Sequence, residues 1–273
     1  VRGLTFTLRE AGTPGGEVVV LLHGFPETSL MWEPLMRDLA GLGYHVVAPD
    51  QRGYSDGARP PGDEAYSYEE IARDVLAIGA AFAGQYHLVG HDWGALAGWV
   101  TLATEPTPIR SWTALSCPHY RAFAEAVYAD GSGAFYRSML AVFLNADGVP
   151  AEDVLTPAAL DRFWTSQTPE TREAYRDHFA NREALTGALN WYRASRGHRR
   201  VLEDFHVPTI ATPTLFVWGH HDPAVGRLAV DRARHLMTGP YHVAEMDAGH
   251  WVLEDDYRQV RDQIVAHLRR NPM

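Results

Sequence analysis

Residues Gly90-His91-Asp92-Trp93-Gly94-Ala95 constrain this chain more than any other stretch of it. Ahead of them the run Tyr86 to Val89 reads as a short buried strand. Behind them Ala95 to Thr104, rich in Ala, Leu, Trp and Val, reads as a helix. A strand that turns at once into a helix through small flanking residues pushes the central side chain out at the strand's carboxyl end. That side chain is Asp92, above a helix N-terminus that favours an anion. A Ser at such a turn needs a base before it can attack, and it attacks acyl carbon. A carboxylate is already ionised and can displace a leaving group from saturated carbon, which leaves an ester between enzyme and substrate. Water must then hydrolyse that ester by attacking the Asp92 carbonyl. Alkylating substrates, strained epoxides or alkyl halides, are expected ahead of ordinary esters and amides.

The rest of the 273 residues is consistent with a sizeable core, with 46% apolar residues and eight Trp against 21% charged. A net charge of −10 without a Lys/Arg cluster argues against a nucleic-acid partner. The lone Cys117 excludes an internal disulfide and a multi-cysteine metal site, and it fits a reducing compartment. No apolar run approaches the ~18 residues of a membrane span. The start at Val1 has no leader-like pattern, so the expected location is cytoplasmic, with no membrane partner. Monomer and homodimer both stay open.

Strand-like and helix-like segments alternate through the first half. Leu4 to Leu8 reads as an edge strand, Glu17 to Leu22 as a buried strand, Trp32 to Leu42 as a helix and His45 to Pro49 as a strand. Tyr68 to Phe82 reads as a helix, with Ile71, Val75, Ile78 and Phe82 at helical spacing, and Ser111 to Leu115 as the next strand. From Phe123 to about Phe205 only short helical stretches are found, broken by Gly131, Gly133, Pro150, Pro157, Pro169 and Gly187. The alternation returns with strands at Thr214 to Trp218 and Tyr241 to Glu245, and helices around Val230 to Leu236 and Tyr257 to Leu268. This rhythm predicts an α/β fold, a mostly parallel sheet with helices on both faces and an all-helical insertion at its carboxyl edge, where ligands bind.

With HGFPE (His23 to Glu27), DQRGYSD (Asp50 to Asp56), GHDWGA (Gly90 to Ala95), GHHD (Gly219 to Asp222) and AGHW (Ala248 to Trp251) in this order, the chain resembles the α/β-hydrolase superfamily. Within it the chain looks most like the soluble epoxide hydrolases and their haloalkane dehalogenase relatives. The resemblance implies a core of residues 1–118 and 205–273 and a helical cap of residues 119–204. It implies a triad of Asp92 as nucleophile, His250 as the base that activates water, and Asp222 orienting the imidazole. The oxyanion hole would come from the backbone N–H groups of Phe25 and Trp93, and Phe25-Pro26 is a candidate cis bond.

Opening an epoxide also needs an acid for the departing alkoxide. Family members use cap tyrosines, one within an Asn-Trp-Tyr-Arg segment that stands here as Asn190-Trp191-Tyr192-Arg193. The resemblance therefore makes Tyr192 the proton donor. The second tyrosine of relatives precedes a Pro-Gly-Val-like turn. Here that stretch is Ser138 to Phe143 before Asp147-Gly148-Val149, with Met or Leu at the expected place, and Tyr136 lies about one turn earlier. Trp93 and Trp191 are candidate substrate-binding residues. Phe135, Phe143, Phe163 and Trp164 are candidates for lining an apolar pocket.

His91 is expected to pack under the turn. His220 and His221 beside Asp222 resemble a metal cluster, but the triad accounts for Asp222, and neither metal nor cofactor is expected. The expected function is opening of an apolar epoxide to a vicinal diol. Hydrolytic dehalogenation, a specialised biosynthetic reaction and ligand binding without turnover are the alternatives, which fold alone does not separate.

Overall fold

The computed structural model describes residues 1–129 and 133–273. Its first half contains β1 (Leu8–Ala11), β2 (Val18–Leu22), α1 (Glu33–Gly41), β3 (His45–Pro49), α2 (Tyr68–Phe82), β4 (Tyr86–His91), α3 (Trp93–Thr104) and β5 (Ile109–Leu115). Then come seven helices: α4 (Tyr120–Tyr128), α5 (Ala134–Phe143), α6 (Ala151–Val154), α7 (Pro157–Leu160), α8 (Pro169–Ala180), α9 (Arg182–Ala194) and α10 (Arg200–Glu203). The chain closes with β6 (Thr214–Gly219), α11 (Arg227–Arg234), β7 (Tyr241–Met246), α12 (Val252–Asp255) and α13 (Tyr257–Arg270).

The strands form one seven-stranded sheet in the order β1-β3-β2-β4-β5-β6-β7, parallel except where β1 pairs antiparallel with β3. Both faces of the sheet are covered. Val18, Val20 and Leu22 of β2 belong to one buried cluster and Val19 and Leu21 to the other. A strand buried on both faces needs an apolar side chain at every position, which is why VVVLL shows no alternation.

The edge strand differs from expectation. Pairing with β3 starts at Leu8↔Pro49 and runs to Ala11↔Val46. The Leu4 to Thr7 segment is held by the loop after β3 instead: Thr5 N–H donates to Gly57 O at 3.0 Å and Thr7 N–H to Ser55 Oγ at 2.9 Å. An edge strand has a single ladder partner, so its bounds follow that partner's register rather than its own apolar pattern.

The helical segment between β5 and β6 has no strand among its described residues, as expected; Gly131, one of the expected breakers, lies outside them. Three side chains tie it to the loops at the carboxyl ends of the strands. Trp164 Nε1–H donates to Pro26 O at 2.8 Å, Gln167 Nε2–H to Glu27 Oε1 at 2.7 Å, and Trp191 Nε1–H to Arg52 O at 2.9 Å. Arg52 is itself fixed from below, in a buried two-point ion pair with Asp74 (2.6 and 3.0 Å). No described helix is long and apolar enough to cross a membrane, and Cys117 is buried as a free thiol.

Candidate active site

β4 ends at His91 and α3 begins at Trp93, so Asp92 makes the whole turn. Its backbone stands at φ 50, ψ −117, a left-handed conformation that a non-glycine residue adopts at a cost of order 1–3 kcal/mol. The glycines of the motif make the turn possible. A Cβ on Gly90 would collide with the Gly94 carbonyl, and one on Gly24 would stand 2.5 Å from Asp92 Cβ and 2.6 Å from its Oδ1. The strain and the close approach together hold the carboxylate against the loop after β2.

That loop supplies the first contact. Phe25 N–H donates to Asp92 Oδ1 at 2.9 Å, and the Phe25-Pro26 peptide is cis. The other oxygen, Oδ2, lies 3.4 Å from His250 Nε2. His250 sits in the loop after β7, and its Nδ1–H donates to Asp222 Oδ2 at 2.8 Å. Asp222, in the loop after β6, is fixed in turn by the Ala224 and Val225 amides on its Oδ1 (2.7 and 3.2 Å). The His250 carbonyl accepts from Ser116 Oγ at 2.6 Å and lies 3.0 Å from His91 Nε2. Three residues distant in sequence thus meet at the carboxyl ends of β4, β6 and β7, and Trp93, the residue after Asp92, opens α3.

The charges are coupled. Burial alone would push the Asp92 carboxyl up, but the hydrogen bond and charge of His250, together with His91 and the Phe25 amide, hold it below the ordinary carboxylate range. Burial disfavours charge on His250, yet the neighbouring Asp222 and Asp92 carboxylates raise its pKa well above the ordinary value.

Above the carboxylate lies a cavity whose lining includes Asp92, His250, Tyr136 and Tyr192. Much of its remaining wall is apolar, with Phe25, Pro26, Met139, Phe143 and Phe163. Phe135, Phe143 and Phe163 line it as expected of pocket aromatics. Tyr192 comes from α9 and Tyr136 from α5, both buried, and burial raises both phenols well above their ordinary value, so each keeps its proton.

Two expected substrate-binding residues stand elsewhere. Trp191 turns away to donate to the Arg52 carbonyl, and Trp93 packs edge-on against Trp191 and Tyr192 at ring separations of 5.5 and 4.9 Å. Neither belongs to the cavity lining, and Trp164 is likewise used on the Pro26 carbonyl. An indole whose N–H finds a backbone acceptor across an interface is more stable there than facing an apolar space. His220 and His221 find their acidic neighbour in Asp247 rather than Asp222, forming an exposed cluster whose ligand atoms lie within 4.8 Å of one another.

Sequence reasoning did not single out Glu27, although it ends the HGFPE motif. Its carboxyl is buried 3.6 Å from His91 Nδ1, and burial with the Asp92 charge pushes it up to about 8. Glu27 Oε2 and His91 Nδ1 are both without a hydrogen-bond partner. His91 does pack under the turn, against His250 at a ring separation of 5.2 Å.

A family model described as alpha/beta hydrolase fold matches residues 17–257. The chain belongs to the α/β-hydrolase family. This α/β-hydrolase is 32% identical over 307 residues to Epoxide hydrolase A of Mycobacterium tuberculosis (strain ATCC 25618 / H37Rv), covering 97% of the chain and 94% of the relative. It is 30% identical to the AB hydrolase superfamily protein YfhM of Bacillus subtilis (strain 168), over 98% of the chain and 95% of that protein. Among solved structures it is similar to Epoxide Hydrolase A from Mycobacterium thermoresistibile, with a TM-score of 0.80 at 28% identity over 98% and 95% of the two chains. An epoxide hydrolase of Bacillus megaterium shares the fold, with a TM-score of 0.84 at 22% identity over 98% of each chain. This α/β-hydrolase is accordingly an epoxide hydrolase-like member of its family.

Proposed function

We propose that this protein opens an apolar epoxide to a vicinal diol through a covalent ester on Asp92, and that it does so in the cytoplasm as a monomer or homodimer. The observation that carries the reading is the meeting, in one largely apolar cavity, of a carboxylate held between an amide and a histidine with two protonated phenols. Residues 1–118 and 205–273 act as the core that holds the triad, and residues 119–204 as the cap that brings the phenols.

Asp92 Oδ2 attacks an epoxide carbon, the carbon–oxygen bond breaks, and the alkoxide takes a proton from Tyr192 or Tyr136. Oδ1, held by the Phe25 amide, becomes the carbonyl oxygen of the ester. Esterification removes the Asp92 charge, one of the two carboxylate charges that favour a proton on His250. The imidazole then gives up that proton to the phenolate left by ring opening and is free to take one from water, while Asp222 stabilises the imidazolium that forms. Hydroxide adds to Cγ, the oxyanion rests on the Phe25 and Trp93 amides, the Cγ–Oδ2 bond breaks as the imidazolium gives its proton to the departing alkoxide, and the new carboxyl returns a proton to the imidazole. The phenols support an epoxide over an alkyl halide, because a departing halide needs no proton.

The test is the intact mass of His250→Gln after incubation with an aryl epoxide and, separately, with a bromoalkane. Without the base the ester accumulates, and a mass gain equal to the whole epoxide is expected. A gain only from the bromoalkane, equal to its alkyl group, would replace the reading with dehalogenation. A folded variant that takes up neither would end it.

A further inference from the structure

His198 stands against the ring of Tyr136, outside the catalytic groups themselves. It is fully buried within Arg196-Gly197-His198-Arg199-Arg200, whose Arg196 and Arg199 are exposed. Residues 196 to 198 stand in succession at φ 51, 59 and 73, a tight left-handed reversal after α9 that returns the imidazole to the interior. Both ring nitrogens then meet tyrosine hydroxyls. Nε2 lies 2.9 Å from Tyr136 Oη, Nδ1 lies 2.8 Å from Tyr120 Oη, and Tyr120 Oη lies 2.7 Å from Tyr68 Oη. The His198 amide donates to Ser195 Oγ at 3.2 Å, and Ser195 Oγ donates to the Tyr192 carbonyl at 2.9 Å. One residue thereby connects both cavity tyrosines. Desolvation pushes its imidazole down to about 3, so the ring is neutral at neutral pH.

A neutral imidazole has one N–H and one lone pair, and a phenol has one proton to give. If Nε2 is the lone pair, Tyr136 directs its proton at the ring and away from the cavity. If Nε2 carries the hydrogen, it donates to the Tyr136 oxygen, and the phenol proton is left for the cavity. The Nδ1 lone pair then accepts from Tyr120, and Tyr120 accepts from Tyr68.

We propose that His198 is a positioning residue, held by Tyr120 as the Nε2–H tautomer so that Tyr136 offers its proton to the opening epoxide. The proposal rests on the epoxide reading above. As Tyr136 Oη–H transfers to the alkoxide, the Nε2–H bond stays with His198 and supports the phenolate, which takes a proton back from the His250 imidazolium before the ester is hydrolysed. Hydrolysis of the Asp92 ester involves neither group.

The experiment separates the two steps. Styrene oxide is mixed with wild type, His198→Phe, His198→Gln and Tyr120→Phe, and quenched samples are weighed intact to give the rates of Asp92 alkylation and ester hydrolysis. His198→Phe is expected to slow alkylation by roughly tenfold to a hundredfold and to leave hydrolysis within about twofold. Tyr120→Phe, which touches neither substrate nor cavity, shifts the same step in the same direction by less. His198→Gln restores part of the rate through its amide N–H. The ¹⁵N shifts of the wild-type His198 ring read the tautomer directly and do not depend on any variant folding. An Nδ1–H signal, unchanged alkylation in both His198→Phe and Tyr120→Phe, or equal slowing of both steps would overturn the proposal. If wild type forms no Asp92 adduct with styrene oxide while the tautomer is Nε2–H, the epoxide reading is what has failed, and the role of His198 in it falls too.

Discussion

Asp92 divides its two oxygens between partners: Oδ1 takes the Phe25 amide at 2.9 Å and Oδ2 faces His250 Nε2 at 3.4 Å. In the proposed reaction the first oxygen is already where the tetrahedral oxyanion would be stabilised, and the second where the ester bond would be made and cleaved.

Asp222→Asn keeps a side chain beside Nδ1 but removes the charge that stabilises the imidazolium. Ester hydrolysis should slow by about 10²–10⁴-fold while alkylation of Asp92 proceeds. Under steady turnover of an aryl epoxide, intact mass should then show alkylated enzyme as the dominant species. Rapid turnover of unmodified enzyme would mean that Asp222 does not serve His250.

Tyr192→Phe removes one of the two phenols on the cavity wall. Epoxide opening should fall by about 10–100-fold, with the rate of ester hydrolysis unchanged in a single-turnover experiment. The double variant with Tyr136→Phe should lose nearly all ring opening. Full activity in the double variant would rule out phenolic acid catalysis here.

Gly24→Ala places a Cβ 2.5 Å from Asp92 Cβ. Either the Phe25 loop or the nucleophile must move, and the Phe25–Asp92 bond lengthens. A stability loss of about 1–3 kcal/mol is expected by denaturant titration, together with a fall in kcat/KM larger than that of Gly41→Ala, where a Cβ meets no neighbour within 4 Å. Equal kinetics in the two variants would show that the close approach is not needed.

Glu27 titrates near 4.5 when unfolded and is pushed up to about 8 in the fold, by burial first and the Asp92 charge second. The folded state therefore holds the proton more tightly than the unfolded one. The resulting stabilisation is complete below about pH 4.5 and is lost as pH rises through about 8. Glu27→Gln removes this dependence and keeps an acceptor for Gln167. Urea titrations from acid to mildly alkaline pH should show a shallower fall in stability for the variant, and parallel curves would contradict the buried, protonated Glu27.

The inner strands of the sheet and the candidate triad were legible in local patterns of the sequence, whereas the bounds of the edge strand were not. A strand buried on two faces must be apolar throughout, and a turn with Asp92 at positive φ needs small neighbours, so β2, β4 and the Gly90–Gly94 turn are legible in a few adjacent residues. Tertiary structure alone decided where the polar ends of long side chains point. Trp191 is written beside Tyr192, yet one donates to Arg52 O and the other lines the cavity, since neighbours on a helix lie about 100° apart. Nothing in the sequence singled out His198, which stands among arginines. Its partners Tyr120 and Tyr136 lie 78 and 62 residues away, and the packing of α3, α4 and α5 against the turn after α9 buries its ring. No local pattern records a burial made by residues so far along the chain.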